Sequence, residues 1–131
     1  MVTKTRLLAH QLLMAVEVDG TYPNILLPKI LKQSDLDKKD RGFLQELAYG
    51  TLRMQIQYDA IINQMTSVKD LDTDVLVVLR LAIHEYQNMR TSDHAVVDQY
   101  VELTKSIKPR ASGLVNALLR SLTRENHELV S

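Results

Sequence analysis

The chain contains no cysteine, which excludes disulfides, thiolate metal sites and thiol nucleophiles. Glycine (4) and proline (3) are almost as scarce. The glycines at 20, 42, 50 and 113 each stand alone, so no glycine-rich phosphate loop can be drawn. No apolar run approaches the ~20 residues that a bilayer span requires. The opening Met-Val-Thr-Lys-Thr-Arg passes straight into an amphipathic pattern, without the apolar stretch of a secretory signal. The sequence therefore reads as one cytoplasmic domain with no membrane partner. At 131 residues it is long enough to bury a core without covalent staples.

What is present is ordinary in amount and uneven in place. Sixteen basic and sixteen acidic side chains cancel, which at first argues against a nucleic-acid partner. Yet between Leu103 and Arg124 there are five bases (Lys105, Lys108, Arg110, Arg120, Arg124) and no acid. The first 16 residues hold Lys4 and Arg6, again without an acid, whereas Asp70, Asp72 and Asp74 stand together. A net charge of zero can hide a basic face.

The periodicity is helical throughout. Leu8, Leu12 and Ala15 predict a first helix over about 3–18, which "VDGTYPN" ends through Gly20 and Pro23. A short apolar segment, 25–31, follows, with Pro28 at a first turn or a kink. Leu44, Leu47, Thr51, Met54, Tyr58, Ile61 and Met65 alternate at spacings of three and four. They predict one long helix whose seam lies at the centre of the molecule. Gly50 inside it calls for a bend or a close helix contact. "DLDTD" opens a helix with Leu76, Leu79, Ile83 and Tyr86, and "TSD" (91–93) opens another with Val96, Tyr100, Leu103 and Ile107. Pro109 ends that helix, and Ser112 is expected to cap the last. Six or seven helices and no strand make a single all-α bundle spanning 1–131.

No catalytic or metal constellation emerges. "DLDTD" resembles the start of a calcium loop, but its sixth and twelfth positions would be Val75 and Leu81, where glycine and glutamate are needed. It reads as a cluster of acids at a helix start. His10, His84, His94 and His127 never pair at three- or four-residue spacing, as convergent metal ligands on a helix would. His84 and Glu85 are adjacent, so on a helix they point about 100° apart. "LDKKDRGF" (36–43) reads as a solvated helix start, and Arg53 and Arg80, set in apolar helices, as partners of buried carboxylates.

"ASGLVNALLRSLTR" (111–124) is different. On a helical wheel with Asn116 at 0°, Arg120 falls at about 40° and Arg124 at about 80°, while the leucines and Val115 lie opposite, beyond about 160°. The result is an Asn-Arg-Arg ridge without the interleaved acids that solvated helix faces usually carry. Arginine without acidic company suits phosphate.

"DRGFLQELAYGTLR" (40–53), "VLRLAIHEY" (78–86), "VDQYVELTK" (97–105) and "SGLVNALLR" (112–120) together resemble, in order and spacing, the NusB-like RNA-binding fold over essentially the whole chain. "YGTLR" and "VNALLR" are most similar to the N-terminal domain of the Sun/Fmu (RsmB) ribosomal RNA cytosine-C5 methyltransferases. Two departures from the family pattern, Asp93-His94 and Asp98-Gln99, are expected to lie away from the basic ridge. The resemblance implies an RNA-binding domain, not itself an enzyme. It would position ribosomal RNA for a methyltransferase domain joined in cis, which would bind S-adenosylmethionine and supply the cysteine nucleophile absent here. This chain would hold no cofactor and no metal. The RNA contacts expected are Lys4, Arg6, Lys105, Lys108, Arg110, Asn116, Arg120 and Arg124. Two other readings remain open: a stand-alone NusB antitermination factor, binding leader RNA with a small-subunit ribosomal protein, and a helical protein–protein module.

Overall fold

The computed structural model describes the backbone of residues 1–130 and the side chains of residues 1–125. His127 is thus outside the described side chains. Seven α-helices follow one another among the described residues: α1 (Lys4–Asp19), α2 (Pro23–Gln33), α3 (Lys38–Arg53), α4 (Gln55–Met65), α5 (Thr73–Asn88), α6 (Asp93–Ile107) and α7 (Ser112–Val130). A 3-10 turn, Pro109–Ala111, joins the last two. There is no strand among the described residues, so the all-α expectation holds. None of the described helices is long and apolar enough to cross a membrane.

The helix boundaries follow local chemistry. Gly20 adopts φ 67 and closes α1 with its N–H on the Val16 carbonyl, a left-handed cap that glycine takes without a Cβ penalty. Pro23 occupies the first turn of α2, while Pro28 lies inside that helix. The Asp37 carboxylate caps α3 by accepting from Asp40 N (2.9 Å), and Ser92 Oγ caps α6 by accepting from Ala95 N (3.3 Å). Ser112 does not cap α7. It is itself helical (φ −63, ψ −35), and its hydroxyl donates to the Pro109 carbonyl at 2.8 Å.

The long seam departs from expectation in two ways. It is broken at Met54 (φ −105, ψ 14), which separates α3 from α4. A straight rod would carry both halves past the bundle. The break instead lets α3 pack on α1, α2 and α5 while α4 packs on α5 and α7. Nor is the seam central. The centre is α5, which touches α1, α3, α4, α6 and α7 and has ten of its 16 residues buried. A helix buried on all faces needs apolar residues all round, and Val75–Ile83 supplies them with Arg80 the one charged interruption. Arg80 is held by Asp59 (Nε–Oδ1 2.7 Å, Nη2–Oδ2 2.9 Å) and Glu17 (3.1 Å). Arg53, by contrast, is exposed and not an internal ion pair.

Two adjacent polar residues of α5 tie the bundle in different directions. His84 points toward α3 and α4: its Nε2–H donates to Glu46 Oε2 (2.9 Å), and its Nδ1 lies 2.7 Å from the Tyr58 hydroxyl. Gly50 is the close contact that admits the imidazole, since a Cβ there would fall 2.2 Å from His84 Cε1 and Nε2. Glu85, with 0% exposure, points toward α1 and α6. It accepts from Arg6 Nε (2.9 Å) and the Tyr100 hydroxyl (2.7 Å), and its second oxygen pairs with Arg6 Nη2. Burial by itself would raise the Glu85 carboxyl, but hydrogen bonds from Arg6, Thr91 and Tyr100 together hold it below the ordinary range.

Gly50→Ala should therefore lower stability in urea or thermal melts. The helix-propensity gain is at most ~1 kcal/mol, against an overpacking cost of ~1–3 kcal/mol. Combining it with His84→Ala should cost less than the two single changes summed, because the second removes the obstructing ring.

Acidification should also destabilise the domain through His10. The ring is buried, its Nε2–H donates to the Asp74 carbonyl (3.0 Å), and desolvation lowers its pKa from 6.5 in spite of that bond. The unfolded chain therefore binds the proton more readily. Stability is fully present above pH ~6.5 and falls below it, by up to ~1.4 kcal/mol per pH unit until the folded state also protonates. Urea midpoints at pH 7.5 and 5.5 should differ in that sense, and His10→Gln should shrink the difference.

Candidate nucleic-acid interface

The Asn-Arg-Arg ridge takes shape on α7. Val115, Leu118, Leu119 and Leu122 are buried against the bundle, while Arg120 and Arg124 are exposed and Asn116 half-buried. Asn116 and Arg120 are not independent groups. Arg120 Nε donates to Asn116 Oδ1 at 3.0 Å, which turns the guanidinium back along its own helix and leaves its two terminal nitrogens without a partner among the described residues. The amide carbonyl is thereby occupied as a positioner of Arg120.

Facing this pair is α6. Its inner face buries Val96, Tyr100, Leu103 and Thr104. Its outer ridge carries His94, Asp98 and Glu102 at four-residue spacing, followed by Lys105. Between the two helices lies a groove of about 720 Å³, with Asn116 and Arg120 on one wall, His94, Asp98, Glu102 and Lys105 on the other, and Ala95, Val97 and Val101 supplying apolar lining. The chain reverses through the Pro109–Ala111 turn, so Lys105 and Ser112 lie toward the turn and Ser92 and Arg120 toward the far end. Its volume falls within the range of ordinary ligand clefts.

The remaining predicted contacts divide. Lys105 lines the groove, 56% exposed at its side chain and in a loose pair with Glu102 (3.4 Å); exposed pairs of this kind hold little. Lys4 is exposed in the first turn of α1, a helix start tied to α6 by Thr3 N–Gln99 Oε1 (2.8 Å). Arg124 continues the ridge one turn beyond Arg120.

Arg6 is a correction, whereas Lys108 stands in a surface ion pair. Arg6 is 7% exposed. Its guanidinium is taken by Glu85 and Thr3 Oγ1 (2.9 Å) and lies over the Phe43 ring at 5.1 Å. It is a core ion pair and has nothing to offer a nucleic acid. Lys108 Nζ bonds Asp72 Oδ2 (2.5 Å) and lies 3.3 Å from Asp74 Oδ1. The hydrogen bond from Lys108 lowers the Asp72 carboxyl, and the bond to Asp72 raises the Lys108 amine. The run without acids in sequence thus meets its acids in space, at the start of α5. Arg110 stands 3.8 Å from the same Asp72 but keeps 81% of its side chain exposed.

Sequence reasoning missed the acidic wall. His94 and Asp98 belong to the two departures set aside as remote from the ridge, yet they line the same groove. The four-residue recurrence His94–Asp98–Glu102 was the available signal. Among the described residues no cluster of three or more His, Asp or Glu could hold a metal ion.

The two classes of arginine should separate experimentally. Arg6→Ala strands a buried carboxylate and should cost ~3–5 kcal/mol, whereas Arg120→Ala, at the surface, should change stability by no more than ~0.5 kcal/mol. Equilibrium urea denaturation of both variants measures the contrast.

Comparison with known proteins identifies the family of the chain. The model of the NusB family matches residues 3–124. The ribosomal RNA small subunit methyltransferase B of Pseudomonas putida is 35% identical over 129 residues, which cover 96% of this chain and 29% of that protein. A Bacillus subtilis protein named "Probable ribosomal RNA small subunit methyltransferase B" is 33% identical over 129 residues, 94% of this chain and 28% of its own length. The Escherichia coli O127:H6 methyltransferase B is 33% identical over 119 residues, 88% of this chain and 27% of that protein. The chain thus spans less than a third of the curated relatives it matches. A bundle of seven helices, matched by the family from its first helix into its last, makes this chain a member of the NusB family.

Proposed function

We propose that this chain is the RNA-holding domain of a ribosomal RNA cytosine-C5 methyltransferase, and that the α6–α7 groove is where it grips the RNA. The observation that carries the reading is Arg120, oriented by Asn116 and opening with Lys105 onto a groove of about 720 Å³. Planar guanidinium groups with free terminal nitrogens bind phosphate oxygens in pairs. Phosphate contacts of this kind fix register along a strand. The names of the relatives supply the substrate class, and their greater length supplies room for a catalytic domain in cis.

The chain's own residues do not fit S-adenosylmethionine or the methyl-transfer step. There is no glycine-rich loop in the sequence, no sheet among the described residues, and no cysteine to attack the cytosine ring. The role left to this domain is to bind and orient the RNA, with Arg120 and Lys105 supplying cationic contacts in the groove and the exposed Arg124, Arg110 and Lys4 further contacts on the surface beyond it.

Reversing both ridge arginines (Arg120→Glu with Arg124→Glu) should abolish binding of a labelled single-stranded fragment of small-subunit ribosomal RNA, followed by fluorescence anisotropy. Melting should change little, since both side chains are exposed. For single changes, the slope of log K against log salt should flatten by about 0.7 per lost phosphate contact. Unchanged binding by the double variant would leave the ridge a solvated face.

A further inference from the structure

We propose that the groove also reads sequence, with the Asp98 carboxylate selecting an unpaired guanine through its Watson–Crick edge. The proposal rests on the RNA reading above and adds a specificity determinant to it.

The groove is not a plain phosphate channel. Its α6 wall carries Asp98 and Glu102 opposite Arg120, and a carboxylate there repels the backbone that the arginine attracts. Glu102 is partly neutralised by Lys105 at 3.4 Å. Asp98 is exposed and has no hydrogen bond or ion pair among the described residues. Nor does Arg120 close on it: both line one groove, yet they form no pair within 4.0 Å. An unpaired anion and an underused cation thus share a cleft lined between them by Val97 and Val101.

A nucleotide matches that pattern part by part. It has an anionic phosphate for Arg120, a flat face for the aliphatic side chains, and a polar edge for the opposite wall. Which edge follows from hydrogen-bond chemistry. An ionised carboxylate only accepts, through two oxygens side by side. Guanine alone presents two adjacent donors, N1–H and the N2 amine, on its Watson–Crick edge. Cytosine and adenine each offer one amine beside an acceptor nitrogen, and uracil one N–H between two carbonyls, so each sets a lone pair against the carboxylate. Single-stranded RNA exposes these edges, and a well-made bidentate pair discriminates strongly against the wrong base.

The test uses uridine oligomers with one central guanosine, adenosine, cytidine or uridine, titrated against the whole chain by fluorescence anisotropy at fixed salt. Wild type should prefer the guanosine oligomer by roughly five-fold or more. Central inosine, which lacks the N2 amine, should fall between guanosine and uridine. Asp98→Asn should erase the preference while binding the all-uridine oligomer as well as wild type or better, because a negative charge has gone. Glu102→Gln should keep it. Equal binding of all oligomers by wild type, preference for another base, or a guanosine preference that survives Asp98→Asn would each overturn the proposal and leave phosphate gripping intact. If no oligomer binds, or the double arginine reversal binds as wild type does, the RNA reading of the groove falls as well.

Discussion

Glu85 is a carboxylate with no access to water, and most of the architecture can be understood as what its burial demands. An isolated ionised group in a protein interior costs several kcal/mol, so it persists only where charge and hydrogen bonds surround it. Arg6 comes from α1 and Tyr100 from α6, both ending on the same carboxylate. The first helix and the consecutive pair α5 and α6 are therefore fixed at one point. The pair is a poor source of net stability compared with an apolar substitute, but it is specific, because few arrangements of α1, α5 and α6 satisfy it.

The neighbouring residue performs the matching task on the other side. About 100° round α5, His84 engages Glu46 on α3 and Tyr58 on α4, and Gly50 provides the space. Two consecutive side chains thus set four helices about a fifth. This also accounts for the break at Met54. Glu46 and Tyr58 lie on either side of it, and both must converge on one imidazole.

How much of this was legible follows from the range of each interaction. Helices, turns and most caps depend on neighbours within a few residues, so Gly20, Asp37 and Ser92 could be read directly. Gly50 announced a contact without naming its partner. The central place of α5 was available in the near-continuous apolar run 75–83, but the more regular seam of 44–65 drew attention from it. Arg6 could not be separated from Lys4 by composition, since what distinguishes them is a carboxylate 79 residues away. The same holds for Lys108, which meets its aspartate across 36 residues. Asn116 and Arg120, four apart on one helix, were visible together, while the opposite wall of their groove depended on how α6 packs.

The interior pair and the groove meet on α6. Tyr100 on its inner face donates to Glu85, and only two residues away on either side Asp98 and Glu102 stand on the outer face. The inner bond holds the helix in position and register, so the outer side chains project from a fixed frame. A rigid frame lowers the ordering cost that a ligand must overcome. The outer side chains themselves carry little of the fold: Asp98 has no partner among the described residues, and Arg120 is tied only within its own helix. On the proposed reading, stability and recognition then fall on opposite faces of one helix. The charge pattern of the groove can change without disturbing the core, whereas a change at Arg6, Glu85 or Tyr100 would displace the groove as a whole.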